Sequence, residues 1–265
     1  MSLCIRFRFT NLKTNVFFII CYTGEKRVRW EKKIYNKMDL VLNLKCHEQY
    51  HQKSRYDAFR NKMRFVDIPH MIKQDDSKTE TMESGKTYNN LLYAGLIREE
   101  IFPHVINLFY EELRTGEIVF DVYTRTNVEA FYMHIPKAIQ GNIKNHGFVD
   151  RSIVLREEKN ASVLLSMGNP DSDFIPSKIF ELIATGNKIV HIYSYDEDSA
   201  LPYYAKYPNS CCINIKDTPE ENRAKLKAFL IQPKQEISFD DLRSIYYENT
   251  PEYTADILCQ LGGAK

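Results

Sequence analysis

Nothing in this 265-residue chain is apolar for longer than the seven residues from Val16 to Tyr22. A helix needs about 20 consecutive apolar residues to cross a bilayer, so that run reads as a buried strand and no membrane span is expected. The six cysteines form no C-x-x-C pair, and none has a histidine at zinc-ligand spacing; a disulfide framework and a structural zinc site both lose their usual signature, and reduced thiols in the cytoplasm fit best. Glycine and proline number only ten each, which excludes collagen-like and low-complexity classes. The first ten residues carry Arg6 and Arg8 within their apolar stretch and show no small-residue cleavage site, so no secretory signal is expected. There is no G-x-G-x-x-G and no G-x-x-x-x-G-K-[ST], which leaves dinucleotide oxidoreduction and P-loop phosphoryl transfer without their phosphate-binding turns.

What is present suffices for a globular protein: 43% hydrophobic and 27% charged residues can build a core and a solvated surface. The net charge of +1 hides an asymmetry. Residues 1–80 hold 17 Lys and Arg against 9 Asp and Glu, a balance of +8 that the remainder offsets with −7. A basic segment suits an anionic membrane surface as readily as an ordinary solvated face. No basic run with interleaved aromatics accompanies it, so nucleic acid is not an expected partner.

Along the chain, Val16–Cys21 reads as a strand, Lys26–Lys37 as a helix, Leu40–Leu44 as a strand and His47–Lys62 as a polar helix. Lys73–Lys86 is nearly devoid of apolar residues and marks a linker. The boundary drawn there gives a partial α/β segment and linker over 1–80 and a second domain over 81–265. In the second, short apolar runs alternate with helical periodicity: Asn90–Gly95, Phe102–Leu113, Ile118–Tyr123, Val128–Ala138, Ile143–Phe148, Arg151–Glu157, Ser162–Met167, Ser177–Thr185, Lys188–Tyr193, Tyr203–Tyr207, Cys211–Ile215 and Pro219–Leu230. Such alternation predicts βαβ units and a Rossmann-like parallel sheet flanked by helices. A closing helix, Phe239–Tyr247, and a tail, Pro251–Leu261, pack back on that sheet or cross to the first segment. Ligands in such folds sit beyond the carboxyl ends of the strands.

The most informative stretch is ASVLLSMGNPDSDFIPSKIFELIATGNKIVH, Ala161 to His191. A buried strand enters a polar loop, and Pro176 suits the first turn of the helix that follows. Ile179 and Ile183, with Leu182, form the apolar stripe of that helix, while Ser177, Lys178 and Glu181 share its other face. By spacing alone the plainer reading makes Asp173 an ordinary acidic residue at a helix start and Glu181 a solvated partner of Lys178.

This stretch, followed by SALPYYAKYP, resembles the donor-binding core of GT-B glycosyltransferases, in particular family-four-like enzymes of bacterial polysaccharide assembly, whose motif reads E-x7-E. Here it stands as Asp173-x7-Glu181, followed by Ala184, Thr185 and Gly186. LLYAGLIREEIFPHVINLFYEEL resembles the first strand, turn and helix of the same domain, and the likeness extends over about residues 86–230. The resemblance implies a nucleotide sugar, a UDP-sugar above all, as donor: Glu181 on the ribose, Asp173 with Asn169 on the sugar hydroxyls, Gly95 close to the diphosphate, and Arg98 and Lys178 as its cations, with Ser177 at the same helix start. His146 and Gly147, ending a predicted strand, add contacts to base or phosphate; a strand-end surface histidine is the plainer alternative. The family's usual Arg and Lys after the first strand are replaced by Leu96 and Ile97, with Arg98 the nearest cation. Residues 1–72 resemble only the last β-α-β-α portion of an acceptor-binding domain.

No cofactor and no metal are expected, because Asp171-Ser172-Asp173 carries the letters of a metal motif within the donor loop. The string His47-Glu48-Gln49-Tyr50-His51 spells H-E-x-x-H, yet its polar, Lys-rich setting points to solvated histidines rather than zinc. His191 and Tyr193 read as core or cleft wall, and Tyr203, Tyr204 and Tyr207 as packing. The expected function is glycosyl transfer from a nucleotide diphosphate sugar to a saccharide or lipid-linked acceptor in surface polysaccharide assembly, at the inner face of the membrane, alone or with a partner chain that supplies the missing domain. The alternative is a non-catalytic nucleotide-sugar-binding or partner subunit.

Overall fold

The structure is a computed structural model that describes residues 4–8, 15–19, 25–73, 89–133, 135–169 and 175–262. The chain divides into two compact units, one of residues 1–72, 173–175 and 246–265 and the other of residues 73–172 and 176–245.

The first unit holds a four-stranded sheet in the order β1-β2-β3-β4. β1 (Cys4–Arg8) runs antiparallel to β2 (Asn15–Ile19), and β3 (Leu40–Leu44) and β4 (Met63–Val66) continue in parallel. β1 is a strand that the sequence reading did not assign, because Arg6 and Arg8 interrupt its apolar pattern. Helix α1 (Glu25–Tyr35) follows β2. The single polar helix expected over His47–Lys62 is broken: a 3-10 turn at Lys45–His47, helix α2 (Glu48–His51) and a 3-10 run at Ser54–Lys62. Lys53 takes an extended conformation between them, which turns Tyr56 and Phe59 into the core beside Tyr35, Met38, Val41 and Met63.

That rearrangement also corrects the expectation of solvated histidines. His51 is buried, its Nε2 3.0 Å from Tyr35 Oη and its Nδ1 2.9 Å from the His47 carbonyl. Burial lowers its pKa from the usual histidine value, opposed by the His47 carbonyl. Both ring nitrogens are engaged by the protein, so H-E-x-x-H here builds a polar core.

The second unit is a six-stranded sheet, parallel throughout, in the order β10-β9-β8-β5-β6-β7. Its strands are β5 (Asn90–Ala94), β6 (Val119–Tyr123), β7 (Ile143–Asn145), β8 (Val163–Met167), β9 (Lys188–Tyr193) and β10 (Ser210–Asn214). The crossovers carry α3 (Phe102–Leu108), α4 (Tyr110–Thr115), α5 (Val128–Met133), α6 (Lys137–Gln140), α7 (Arg151–Asn160), α8 (Lys178–Ala184) and α9 (Leu201–Tyr204); α10 (Pro219–Ile231) and α11 (Phe239–Ile245) follow β10. Two helices expected as single pieces are split, one at Phe109 and the other ahead of Pro136, a residue that cannot continue a helix. Central strands read as near-continuous apolar runs because both faces are covered: Leu91, Phe120, Val122, Leu165, Val190 and Ile213 share one core with Phe102, Val105 and Leu226. The Rossmann-like parallel sheet flanked by helices that the periodicity predicts is therefore the fold of this unit.

Lys188 ties α10 to the sheet. Its ammonium donates to the carbonyls of Phe229 and Leu230 at 3.1 and 2.9 Å and to that of Gln232, a cation at a helix C-terminus where carbonyls lack intrahelical partners. Tyr204 and Tyr207 are buried, as their spacing suggests, and Tyr207 Oη donates to the Asn187 carbonyl at 2.6 Å. The second unit ends at Ile245. The tail takes the second of its two expected courses: helix α12 (Pro251–Gly262) belongs to the first unit, where Leu258 packs on Leu40 and Leu42. Among the described residues, no helix is long and apolar enough to cross a membrane.

Candidate functional site

Strand order locates the site. The chain passes from β5 outward through β6 to β7, then returns to the other side of β5 with β8. Loops leaving neighbouring strands on either side of such a switch point diverge and open a crevice at the carboxyl ends. The loops after β5 and β8 contain the predicted residues Gly95, Arg98 and Asn169. Arg98 Nη2 donates to Asn169 Oδ1 across them at 3.3 Å.

Each loop is fixed by its own sequence. Gly95 donates its backbone N–H to the Tyr123 carbonyl at 3.0 Å, and Tyr93 Oη donates to the Leu96 carbonyl at 2.5 Å, folding the turn back on β5. A side chain at position 95 would meet Tyr93 Oη at 2.9 Å. Burial pushes the Tyr93 phenol up to about 12, opposed by the Arg98 charge, so it stays a donor. After β8, Gly168 is required by close approach: a Cβ there would stand 2.5 Å from Asp198 Oδ2 and 3.0 Å from the Tyr193 backbone.

Helix α8 presents the second group. Ile179, Phe180, Leu182 and Ile183 are buried, which leaves Ser177, Lys178 and Glu181 on the outer face of its first turn, as the spacing predicts. These side chains form a charged network. Glu181 Oε1 accepts from Arg151 Nη2 at 2.8 Å, and its Oε2 is 3.8 Å from Lys178 Nζ. Lys178 leans closer to Glu158 Oε1, at 2.5 Å. Glu158 is fully buried, and its Oε2 makes no hydrogen bond. Burial raises the Glu158 carboxyl above its ordinary range, opposed by the Lys178 charge. Arg151, Glu158 and their hold on the two motif residues escaped the sequence reading, since α7 carries no motif and its approach to α8 is a tertiary fact.

His146 and Gly147 follow β7, two strands out from β5. His146 Nε2 is 2.8 Å from Asp121 Oδ1, and its ring stacks on Tyr123 at a centroid distance of 4.5 Å. Burial pushes the Tyr123 phenol up to about 12. Gly147 has φ +68°, the left-handed region, and donates its N–H to Asn145 Oδ1 at 2.9 Å. These two residues share the strand ends with Gly95 through Tyr123, but their partners are separate from those of Arg98 and Glu181. Asp173, with Asp171 and Ser172, lies outside the described residues. Among the described residues, no group of three His, Cys, Asp or Glu side chains gathers where a metal ion could be held.

Elsewhere a cavity of about 590 Å³ opens between α9, the start of β10 and α10, lined by Leu201, Tyr204, Cys212, Lys225 and Phe229 among others. Burial raises the thiol of Cys211, which also lines the cavity, and pushes that of Cys212 up to about 12, which disfavours the thiolate at both.

No protein-family model matches the chain, and no curated protein matches it. Solved structures do. A glycosyltransferase from Rickettsia africae is 10% identical with a TM-score of 0.56, the match covering 93% of this chain and 69% of that one. HepE from Anabaena, solved with UDP and glucose, is 10% identical with a TM-score of 0.56, covering 90% and 68%. The pneumococcal O-GlcNAc transferase GtfA, solved with UDP and GlcNAc, is 12% identical with a TM-score of 0.54, covering 96% and 49%. This chain thus spans about half the length of some of the structures it matches. At these identities the likeness is one of fold, and the fold is that of GT-B glycosyltransferases.

Proposed function

We propose that the chain transfers a glycosyl group from a nucleotide diphosphate sugar, with UDP as the nucleotide, to a saccharide or lipid-linked acceptor. The observation that carries this reading is the Arg98–Asn169 pair spanning the switch point of the sheet. A cation and an amide at the carboxyl ends of the strands suit a diphosphate, which in parallel α/β folds binds at such a crevice. The same fold in Anabaena HepE and pneumococcal GtfA was solved with UDP.

In this reading Glu181 accepts hydrogen bonds from the ribose hydroxyls, and Arg98 is the principal cation for the diphosphate. Lys178 assists only by giving up its contact with Glu158, which makes it the weaker of the two. Gly95 lets the backbone approach the phosphates, and Ser177 and Asn169 supply polar contacts around them. Asp173 orients the sugar hydroxyls. His146, stacked on Tyr123 beside Gly147, is positioned for the base. Catalysis is then positioning of the donor together with stabilisation of charge on the departing UDP, which calls for no resident cofactor or metal. The basic residues of the first 80 suit work at an anionic membrane face on polysaccharide precursors, with a partner chain completing the acceptor side where needed.

Incubation of the purified chain with a panel of UDP-sugars, with and without saccharide acceptors, tests this by UDP release. Acceptor-dependent release that Glu181→Ala abolishes supports transfer. UDP binding without release under any pairing would make the chain a nucleotide-sugar-binding subunit instead.

A further inference from the structure

We propose that Asp198 is a positioning residue of this site: a buried carboxylate that fixes the turn after β8 through the Asn169 N–H and, through the Asn169 side chain, sets Arg98. The proposal rests on the functional reading above. Asp198 is 3% exposed and lies in the loop after β9, outside the Asp173-x7-Glu181 motif and directly before SALPYYAKYP. Its Oδ2 accepts the Asn169 N–H at 3.0 Å, and its Oδ1 accepts the Ala200 N–H at 2.8 Å. His191 Nε2 stands 3.3 Å from Oδ1, and the other ring nitrogen is 3.0 Å from Ser166 Oγ on β8. A single carboxylate therefore joins the ends of β8 and β9 and the turn into α9. The absence of a Cβ at Gly168 is what lets it approach so closely.

The chemistry of these contacts favours an ionised Asp198. Burial would raise its carboxyl, yet the His191 contact and the N–H groups of Ala200 and Asn169 hold it below the usual carboxylate range. Hydrogen bonds to a charged acceptor are shorter and stronger than neutral ones. The Asn169 N–H is thus held by a stronger bond than a neutral carbonyl acceptor would offer, and the Asn169 Oδ1 faces Arg98. A cation left to its own rotamers would spend binding energy on ordering, whereas one held in place does not.

The experiment compares the wild type, Asp198→Asn, Arg98→Ala and the double variant in the full chain, measuring the UDP dissociation constant and amide exchange at Asn169. Asp198→Asn keeps the shape but is a weaker acceptor, and it is expected to speed Asn169 exchange and to weaken UDP binding about tenfold. In the Arg98→Ala background the same change is expected to weaken binding less than about twofold, because the group it positions is gone. A similar loss in both backgrounds would assign Asp198 to general stability and overturn the proposal, as would full UDP affinity in Asp198→Asn. Should that variant not fold, Asn169→Ala removes the acceptor facing Arg98 while keeping the N–H, and unchanged affinity there overturns it equally. Absence of UDP binding by the wild type overturns the functional reading itself. The exchange measurement needs no ligand, and unchanged Asn169 exchange in Asp198→Asn removes the clamp whatever the chain binds.

Discussion

Arg151 Nη2 lies 2.8 Å from Glu181 Oε1, although Arg151 is 71% exposed and Glu181 only 15%. The carboxylate assigned to the ribose is therefore already engaged, by a partner that water screens well. Exposed ion pairs contribute about 0–1 kcal/mol, so a ribose can displace Arg151 at small cost. Arg151→Ala should change UDP affinity by less than about threefold. Glu181→Ala should weaken it by about tenfold or more, since the ribose hydroxyls then lose a charged acceptor. Titration calorimetry on both variants separates the two roles.

Glu158 gives a stability prediction whose sign follows from its burial. Its carboxyl is raised in the folded chain relative to the ordinary value of 4.5, so the fold prefers the protonated form. Its contribution is present below the unfolded pKa and is lost as pH rises through the folded value. Glu158→Gln removes a charge that is costly at neutral pH while keeping a hydrogen-bonding group for Lys178. The variant should be the more stable at pH 7, and the difference should shrink as the pH is lowered toward 4.5. Thermal unfolding across that range checks both the sign and the trend.

Gly168 and Gly147 are special for different reasons and should respond differently to alanine. At 168 a Cβ collides with Asp198 and the Tyr193 backbone, an overpacking that costs about 1–3 kcal/mol and displaces the turn holding Asn169. At 147 a Cβ meets nothing within 4 Å, and only the left-handed φ of +68° is penalised, at about 1–2 kcal/mol. Gly168→Ala should therefore lose both stability and UDP affinity. Gly147→Ala should lose stability with affinity changed by less than about threefold. Denaturant titration and calorimetry on the two variants distinguish them.

The second unit was legible because parallel strands buried on both faces are plain apolar runs: Lys188–Tyr193 is a strand with the bounds expected for it, and α8 buries the stripe of Ile179, Leu182 and Ile183 that its spacing marks. Where several weak signals compete, reading failed. His47–Lys62 carries the polar composition of an exposed helix, but Tyr50, Tyr56 and Phe59 are spaced for a broken chain that wraps a core, and that core took His51 with it. In the site, Glu181, Lys178, Arg98 and Asn169 could be named because they lie in or beside a motif. Asp198, His191, Ser166, Arg151 and Glu158 could not, since each matters through a partner 20 or more positions away, a distance that neither periodicity nor spacing records.

The direct measurement of the central claim is calorimetric titration of the purified chain with UDP and with GDP, alongside Glu181→Ala and Arg98→Ala. The account predicts that UDP binds the wild type, that Glu181→Ala abolishes or severely weakens the binding, and that Arg98→Ala weakens it by about tenfold through loss of a charged contact to the diphosphate. A folded chain that binds neither nucleotide, or one that binds UDP equally well without Glu181, would contradict it.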